Sequence, residues 1–307
     1  MKKKILILAG GFSKEREISL LTSKSVHKVL KKNNKFITKI FEPRGDLVKK
    51  IRKFKPHIVF NALHGRYGED GYIQSILENE KISYTHSGVL ASSKAIDKEI
   101  SKKIFIKNNI LTPKYIKFTF KNKLNKKNFL NFVKKKVGFP VVIKPLNEGS
   151  SVNVYICSKS NILKKMKNLI SYKEIIIEKY IPGREIQAAI MGKIKLGAIE
   201  LKPKRKFYDY EAKYNPKAET KHIIPVDLSS KNYKILMRTA LKAHNILGCR
   251  GITRSDFRFY KNKFYLLELN TQPGMTSLSL VPEIAKYKKI SFIKLIEWII
   301  NDSSINR

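Results

Sequence analysis

The residues of this chain best suited to chemistry lie in a predicted hairpin centred on Asn262, with strands at 255–260 and 264–269. Side chains alternate between the two faces of a strand, so the register of the hairpin decides which of them meet. Four polar residues share one face as two facing pairs, Asp256 with Glu268 and Arg254 with Asn270. Two carboxylates and an amide oxygen therefore point in the same direction.

The opposite face of the predicted hairpin is apolar and suits packing against a core. It consists of Phe257, Phe259, Tyr265, Leu267 and Leu269. On the polar face, like charges destabilise a sheet unless something lies between them. A hard divalent cation would do so, and oxygen ligands favour Mg²⁺ or Mn²⁺ over zinc. The alternative is an exposed polar face on which Arg254 and Arg258 balance the carboxylates, and the hairpin alone favours neither interpretation.

The composition is that of a folded protein with two or three domains. The chain has 307 residues, of which 42% are hydrophobic. The opening apolar run at 5–9 is shorter than a signal peptide requires, and we expect no membrane-spanning stretch. The two cysteines, Cys157 and Cys249, provide neither a disulfide framework nor a metal-binding spacing, which fits a reducing cytoplasm.

Basic residues dominate the charge, with 64 lysines and arginines against 24 acidic residues and a net charge of +40. Such a charge suggests a nucleic-acid partner. The lysines are nevertheless spread along the chain, with few interleaved aromatic residues and no DNA- or RNA-binding motif. Lysine, asparagine and isoleucine all have A/T-rich codons. We therefore attribute the charge to a biased genome and expect only weak, non-specific binding of anions.

The first third of the chain predicts an open parallel sheet built from βα units. Strands are predicted at 3–9, 36–41, 57–63 and 82–85. The helix after the first strand has a predicted buried face of Ile18, Leu21, Ser25 and Val29. Such sheets bind ligands where the strands end, and there Glu15 and His64 follow the first and third strands. Each also has an ordinary structural explanation, as a charge at a helix start or a core histidine.

The middle of the chain predicts a small antiparallel α+β module. Its strands are predicted at 115–118, 140–144, 153–157 and 174–180. Between two of them, Gly149, Ser150 and Ser151 offer backbone N–H groups and hydroxyls to a phosphate, although the P-loop pattern is absent. An ordinary hairpin loop is the alternative.

The last third begins at a hinge-like Pro182-Gly183. The long aromatic and charged segment KRKFYDYEAKYNPKAET follows, and segments of this kind are usually functional lids or disordered. A helix is predicted at 231–247, capped by Gly248, before the hairpin. The amphipathic segment 291–300 predicts a closing helix that packs on the core.

Five motifs occur in a fixed order along the chain. They are GGFSKEREISL at 10–20, ALHGRYGEDG at 62–71, KPLNEGSSV at 144–152, FYDYEAKY at 207–214 and ELNTQPGMTSLSLVP at 268–282. In combination they make nearly the whole sequence similar to the D-alanine–D-alanine ligases of the ATP-grasp superfamily. Asn153 departs from a common family glycine, which the fold can accept because Asn tolerates left-handed backbone angles.

The resemblance implies an α/β and α+β ATP-grasp fold of three domains. They are an N-terminal open parallel α/β substrate-binding domain at 1–97, a central ATP-grasp subdomain at 98–181 and a C-terminal catalytic domain at 182–307 with a lid loop at about 204–221. ATP would be gripped between the last two domains.

The same resemblance implies residues for ATP and for two Mg²⁺ or Mn²⁺ ions. The ATP-binding set is Lys98, Lys144, Glu148, Gly149, Ser150, Ser151, Glu178, Lys179, Tyr180, Ile181, Glu185 and Lys213. Within it, Glu178 would meet the adenine and Glu185 the ribose. The metal ligands would be Asp256, Glu268 and Asn270.

The chemistry implied is ATP-dependent ligation of two D-alanines through a D-alanyl phosphate, with release of ADP and phosphate, for peptidoglycan precursor synthesis. Charge neutralisation and in-line positioning would carry this reaction without a protein nucleophile. The residues expected to bind the amino acids are Glu15, His64, Lys213, Arg254, Gly274, Ser279 and Leu280. Those expected to act in catalysis are Glu15, Ser150, Tyr214, Arg254, Gly274 and Ser279.

The resemblance further implies a cytoplasmic homodimer whose partners are D-alanine and ATP, with no specific nucleic acid and no membrane. Tyr214 favours an amide product, since family members that make the D-alanyl-D-lactate ester tend to lack this tyrosine. Two alternatives stay open, another ATP-grasp carboxylate–amine ligase and a basic nucleic-acid-binding protein.

Overall fold

The computed structural model describes residues 2–120, 125–149, 153–203, 220–276 and 279–306. Within these ranges the chain forms one parallel and two antiparallel β-sheets. Four predicted site residues lie outside the described residues, as does most of the predicted lid loop: Ser150, Ser151, Lys213 and Tyr214.

The first sheet is parallel, with the strand order β2-β1-β3-β4. Its strands are β1 (Lys3–Leu8), β2 (Phe36–Phe41), β3 (Ile58–Asn61) and β4 (Ser83–Tyr84). The helices that follow them are α1 (Arg16–Lys31), α2 (Leu47–Phe54), α3 (Tyr72–Asn79) and α4 (Val89–Ile96). Consecutive side chains of β1 and β3 are buried because both faces of the sheet are covered, which confirms the predicted open α/β arrangement.

Helix α1 buries a different face from the one predicted. Its deepest side chains include Ile18, Thr22, Val26 and Leu30, spaced by four residues. Leu21 is 51% exposed, so its predicted burial was wrong. Small polar residues lie on the inner face because their hydroxyl groups form hydrogen bonds with backbone atoms at the ends of the strands. Ser19 Oγ accepts from the Gly10 N–H at 2.7 Å and donates to the Ala62 carbonyl at 2.7 Å.

The turn after β1 has no space for a side chain at Gly10. Its φ is +76°, and a Cβ there would lie 2.4 Å from Oε1 of Glu42. Glu42 accepts hydrogen bonds from the Arg16 guanidinium at 2.7 and 2.9 Å and from the Gly11 N–H at 3.2 Å. Glycine at this turn therefore keeps an ion pair in place at the start of α1.

We expect Gly10→Ala to lower the free energy of unfolding by about 2–4 kcal/mol, because it adds left-handed backbone strain and displaces Glu42. Gly45→Ala is the matched control. Gly45 has a φ of +68° with nothing within 4 Å, so it adds strain alone, at about 1 kcal/mol. Urea denaturation measures both losses. Equal losses in the two variants would show that displacing Glu42 has no effect.

The second sheet is antiparallel, with the order β5-β8-β6-β7. Its strands are β5 (Tyr115–Thr119), β6 (Val141–Pro145), β7 (Tyr155–Cys157) and β8 (Glu174–Lys179). The helices of this region are α5 (Lys98–Lys107), α6 (Lys126–Lys136) and α7 (Ile162–Met166), with a 3₁₀ helix at Lys167–Tyr172. The φ of Asn153 is 56°, as expected for a residue that replaces a glycine.

The third sheet is antiparallel and has the order β11-β10-β9-β12-β13. Its strands are β9 (Arg184–Met191), β10 (Ile194–Lys202), β11 (Lys221–Ile223), β12 (Ile252–Tyr260) and β13 (Lys263–Asn270). Its helices are α8 (Ser230–Leu247), α9 (Leu280–Tyr287) and α10 (Phe292–Asn301). Helix α8 follows the N-cap Ser229 and begins one residue before the predicted start. It ends at Gly248 with φ of +75°, as the sequence predicts.

The β12–β13 hairpin has the predicted facing pairs, Asp256 with Glu268 and Arg254 with Asn270. The turn, however, consists of Lys261 and Asn262, both with positive φ, and is not centred on Asn262. A bulge at Leu267 then shifts the register by one residue. The displaced turn and the bulge shift the register by opposite amounts, so the two polar pairs still face each other as predicted.

The same bulge changes the apolar face of the hairpin. Phe264 and Leu266 are buried with Phe257 and Leu269. Tyr265 and Leu267 are only partly buried, so their predicted place on the core face was wrong. The reason is that one extra residue on β13 inverts the alternation between the turn and the bulge.

One hydrophobic core joins the first and third sheets. It contains Ile7 and Phe60 from the parallel sheet, Ile252 from β12, and residues of the two closing helices such as Ile284 and Leu295. This core holds the carboxyl ends of β1 and β3 beside the β12–β13 hairpin. It also confirms that α10 packs on the core. Within the described ranges, none of the helices combines the length and the apolar character needed to cross a membrane.

Candidate active site

One cavity lies where the three sheets meet. Its lining contains eleven of the predicted site residues: Glu15, His64, Lys98, Glu148, Gly149, Arg254, Glu268, Asn270, Gly274, Ser279 and Leu280. They come from the ends of β1 and β3, the start of α5, the loop after β6, the hairpin, and the loop before α9. The tertiary structure therefore assembles residues from all thirds of the chain.

The facing carboxylates of the hairpin each have a cationic neighbour. The Arg254 guanidinium donates to Asp256 at 2.8 and 3.1 Å, and Lys98 Nζ lies 3.6 Å from Glu268 Oε2. Arg258 pairs with Glu185 at 2.9 Å and does not balance the facing carboxylates. Of the two arginines in the counter-charge interpretation, only Arg254 therefore neutralises this face.

The donor set of this face fits a hard cation. Asp256, Glu268 and Asn270 offer oxygen atoms only, the chemistry that Mg²⁺ and Mn²⁺ prefer. Asn270 Oδ1 accepts from the Gln272 N–H at 2.8 Å, which orients the amide while leaving a second lone pair. In the part of the chain that the structure describes, no three His, Cys, Asp or Glu residues form a metal site. An ion at this pair would therefore need further ligands, such as phosphate oxygens.

A buried cluster of three lysines lies beside the hairpin. Lys144 Nζ is 2.7 Å from Glu178 Oε1, and Lys102 Nζ is 3.0 Å from Glu178 Oε2. Lys98 Nζ donates to the Glu148 carbonyl at 2.5 Å in addition to its Glu268 contact. Three ammonium groups thus share two carboxylates, the buried Glu178 and the partly exposed Glu268. Buried charges are costly unless balanced, so this surplus of positive charge suits an anionic ligand.

Two opposing effects set the pKa values in this cluster: burial disfavours the charged form of each group, and ion pairing favours it. Burial lowers the pKa of Lys102 to about 8, despite the nearby Glu178. Burial also lowers the pKa of Lys98. Burial would lower the pKa of Lys144 as well, but Glu178 and Glu268 outweigh it and raise that pKa. For Glu178, burial favours a higher pKa, yet Lys102 and Lys144 prevail and lower it.

The predicted adenine and ribose contacts lie at the end of β8 and the start of β9. The Lys179 N–H donates to the Lys114 carbonyl at 2.8 Å, and the Tyr180 N–H donates to the Pro140 carbonyl at 3.1 Å. Both of these N–H groups therefore already have partners within the protein. Glu185, at the start of β9, is buried beside Arg258.

Two polar side chains from the parallel sheet close the other end of the cavity. His64 lies between Glu69, 3.0 Å from Nδ1, and Thr22, 3.2 Å from Nε2. Glu15 lies against two glycines, since a Cβ at Gly65 or Gly149 would be 2.8 Å from its Oε2. The absence of side chains at both glycines is what lets the Glu15 carboxylate enter the cavity.

Burial would lower the pKa of His64, but Glu69 and then Glu15 outweigh it and raise that pKa above 6.5. A raised pKa means that His64 stabilises the fold fully below about pH 6.5 and loses this contribution as pH rises through its folded pKa. We expect the stability difference between wild type and His64→Gln to be larger at about pH 5.5 than at about pH 9. Urea denaturation at the two pH values measures it, and a difference that grows with pH would contradict the assignment.

The loop before α9 brings its polar atoms together. Ser279 Oγ accepts from the Thr276 N–H at 3.0 Å and precedes the first turn of α9. A Cβ at Gly274 would lie 2.9 Å from Ser279 Oγ and 4.0 Å from His64 Nε2. Gly274 also lines the cavity. Gln272 Nε2 also donates to the Leu63 carbonyl and ties this loop to the end of β3.

Sequence reasoning missed four polar residues of this region. They are Thr22, Glu69, Lys102 and Gln187. Glu69 could have been found as the acidic residue of the glycine-rich turn after His64, and Gln187 as the residue sharing a strand face with Glu185. No local signal separates Lys102 from the other lysines, because its burial is a property of the tertiary structure.

This arrangement of sheets and this cavity, rich in lysine and carboxylate, define an enzyme of the ATP-grasp fold. Residues 104–301 match the family model described as the D-ala D-ala ligase C-terminus. A D-alanine--D-alanine ligase from Pelagibacter ubique (strain HTCC1062) is 67% identical over 307 residues, with both chains fully covered. The chain belongs to the D-alanine–D-alanine ligase family.

Solved structures agree with this family and with the predicted fold class. The D-alanine--D-alanine ligase from Bacillus anthracis complexed with ATP has a TM-score of 0.84 at 30% identity, covering 98% of this chain and 97% of its own. The D-Ala:D-Ser ligase VanG from Enterococcus faecalis has a TM-score of 0.82 at 25% identity, covering 98% and 99%.

Proposed function

We propose that this protein joins two D-alanines into D-alanyl-D-alanine, using ATP and forming a D-alanyl phosphate, in the synthesis of peptidoglycan precursors. ADP and phosphate are the other products. The observation that carries the proposal is the single cavity that combines Glu15 and His64 with Lys98, Arg254 and Glu268 in a chain of this family. Such a cavity offers binding groups for an amino acid and for a nucleotide side by side.

In this proposal ATP lies over the third sheet, between it and the second. Lys98 and Lys144 bind the phosphates, and Glu148 and Gly149 cover them. Ser150, Ser151 and Lys213 keep the ATP-binding roles expected from the sequence, and all three fall outside the described residues. Glu178 and the 179–181 backbone contact the adenine, while Glu185 binds the ribose. The surplus of buried positive charge around Glu178 supports this assignment.

Asp256, Glu268 and Asn270 would hold two Mg²⁺ or Mn²⁺ ions, as their all-oxygen donor set on one face suggests. When bound, these ions neutralise the phosphate charge during transfer. Lys98 donates to the Glu148 carbonyl and so lies beside the loop proposed to cover the phosphates.

The amino acids occupy the other end of the cavity. The Glu15 carboxylate binds the ammonium group of the first D-alanine, with His64 beside it. Ser279 and Leu280, at the N-terminus of α9, receive the carboxylate of the second D-alanine, because helix N-termini favour anions. The proposed contributions of Ser150, Lys213 and Tyr214 fall outside the described residues.

The reaction balances in two steps. A carboxylate oxygen of the first D-alanine attacks the γ-phosphorus, and the bond to the ADP oxygen breaks. The amine of the second D-alanine then attacks the acyl carbon, phosphate leaves, and the nitrogen loses a proton. Arg254 and the Gly274 N–H stabilise the oxyanion that develops on the carbonyl. The groups that do this work are pre-positioned by Asp256 and by the Ser279 loop.

The experiment that tests this function measures phosphate release from ATP with D-alanine, and with L-alanine as the control. Release that depends on D-alanine, with D-alanyl-D-alanine identified by mass spectrometry, is expected. Lack of D-alanine-dependent release would refute the proposal. The same assay with a panel of other amino acids separates this function from another carboxylate–amine ligase.

A second assay tests the acceptor. D-Serine is included because a structural neighbour is a D-Ala:D-Ser ligase, and D-lactate because Tyr214 predicts an amide product. D-Alanine is the expected acceptor at neutral pH. A dominant ester or D-seryl product would overturn this specificity.

We also propose the domain division 1–97, 98–181 and 182–307, with a lid loop at about 204–221, and a homodimer that acts in the cytoplasm, where ATP is available. Each of the three sheets lies within one of these ranges, which supports the division. Light scattering on the purified chain tests the dimer. A monomer at micromolar concentration would contradict it.

A further inference from the structure

One polar side chain of the cavity has no part in the reaction outlined above. Gln187 of β9 is 0% exposed and lines the same cavity as Lys98, Arg254 and Glu268. From the residues that the structure describes, no hydrogen-bond partner reaches its Nε2 or its Oε1. Burying a carboxamide without partners is unfavourable, so this part of the cavity is incomplete without a ligand.

The sheet register gives the place of Gln187 on the site face. Gln187 faces Asp256 across β9 and β12, and Asp256 faces Glu268 across β12 and β13. Directly opposite side chains share a face, with Cβ atoms about 4.5–5.5 Å apart. Glu185, two residues before Gln187, lies on that same face and pairs with Arg258. The face therefore presents, in order, Glu185, Gln187, Asp256 and Glu268.

The next step rests on the proposed function. With the ribose at Glu185 and the metal ions at Asp256 and Glu268, the phosphates between them pass over Gln187. Phosphate oxygens accept hydrogen bonds and do not donate them, so the amide nitrogen is the matching atom. We infer that Gln187 Nε2 donates a hydrogen bond to the α- or β-phosphate of the nucleotide and positions it for transfer.

This role differs from that of the neighbouring lysines. Lys98 and Lys144 attract the phosphates through their charge, whereas the neutral Gln187 carboxamide orients a phosphate through a directional hydrogen bond. A neutral donor next to Asp256 avoids adding a further carboxylate or another cation to a face where Arg254 already pairs with Asp256. Gln187 is therefore a nucleotide-positioning residue that the motif resemblance does not identify.

The test compares nucleotide binding by the full-length wild type and Gln187→Leu, which keeps a similar volume but removes both polar atoms. Isothermal titration with Mg²⁺ uses a non-hydrolysable ATP analogue, ADP and adenosine. We expect the affinity for the analogue and for ADP to fall about tenfold, and that for adenosine to stay within about twofold. The nucleotide-free variant should unfold at the same temperature as wild type or higher, because the buried amide is gone.

Gln74→Leu is the matched control. Gln74 is 1% exposed, its Oε1 also has no hydrogen-bond partner among the described residues, and it does not line this cavity. We expect it to leave the affinity for all three ligands unchanged. Gln187→Glu, of nearly the same shape, should lower the affinity for the ATP analogue more than Gln187→Leu does, because its carboxylate repels phosphate.

Three outcomes would overturn the inference. Equal binding of ADP by wild type and Gln187→Leu would show that the amide makes no phosphate contact. An equal loss for adenosine would place the contact on the nucleoside. Tighter Mn²⁺ binding by nucleotide-free Gln187→Glu, without loss of ADP affinity, would make the position a metal ligand. If wild type itself bound no nucleotide, the proposed function would fail together with this inference.

Discussion

Replacing Glu268 by Gln is expected to lower kcat by about three orders of magnitude while the fold is kept. The carboxylate faces Asp256 across the hairpin, and in our proposal both hold the metal ions that neutralise the transferring phosphate. An amide has no charge and would be a weak ligand there. A thousandfold loss corresponds to about 4 kcal/mol of transition-state stabilisation.

The fold should tolerate Glu268→Gln because two effects oppose each other. The variant removes a counter-charge of the buried Lys98 at 3.6 Å, but it also relieves the repulsion between the facing carboxylates. The Glu268 side chain is 28% exposed, so we expect the free energy of unfolding to fall by about 1–3 kcal/mol.

Phosphate release and urea denaturation measure the two effects of Glu268→Gln. Glu297→Gln on α10 is the control, since the Glu297 side chain accepts a hydrogen bond from Asn33, which an amide oxygen can also accept, and lies outside the cavity. Its kcat should equal that of wild type. Activity retained by Glu268→Gln would refute the metal assignment.

The second large effect is expected for Arg254→Lys, with a loss of about a hundredfold in kcat. The guanidinium contacts both oxygens of Asp256 and lines the cavity, so in our proposal one group both fixes a metal ligand and stabilises the oxyanion. Lysine keeps the charge but cannot donate two parallel hydrogen bonds, so its ammonium cannot occupy both places. The cost in stability should be about 1–2 kcal/mol, from one lost charged hydrogen bond.

Arg258→Lys is a matched comparison on the same strand face. Arg258 pairs with Glu185 at 2.9 Å, at the proposed ribose contact, and is not among the residues that line the cavity. We expect this variant to raise KM for ATP with kcat within about twofold of wild type. Steady-state kinetics with ATP and D-alanine varied separately measures both variants. If both changed kcat equally, the assignment of Arg254 to the oxyanion would be wrong.

Local patterns predicted the elements because the signals are themselves local. Alternation and turn residues identified the hairpin strands, and capping by Gly248 ended α8 where predicted. Alternation placed Asp256 and Glu268 on one face, and their facing was predicted correctly because the displaced turn and the bulge at Leu267 offset each other. The sequence did not predict the bulge, because it depends on how the hairpin twists against β9 and the core. The predicted core face therefore included Tyr265 and Leu267 in place of Phe264 and Leu266.

Besides the bulge, the local sequence patterns did not predict which polar side chains are buried. Helix α1 turns Thr22 and Ser19 inward because strand ends and His64 provide their hydrogen-bond partners. Lys102 is one of 64 basic residues, and only its fully buried contact with Glu178 distinguishes it. Partners of this kind are distant in sequence, so no window of neighbouring residues contains them.

The sequence by itself determined the kinds of chemistry that this protein has available: two facing carboxylates beside an arginine, a glycine–serine loop, and polar residues at strand ends, in the order of one family. The tertiary structure decided which of these groups meet. The core shared by the first and third sheets brings Glu15 and His64 to the hairpin. Packing of the chain buries Gln187 in the lining of the cavity and Lys102 against Glu178. The residue types and their alternation along a strand can be read from neighbouring residues in the sequence. The proximity of the site residues and the exclusion of water from them arise only when distant segments pack together.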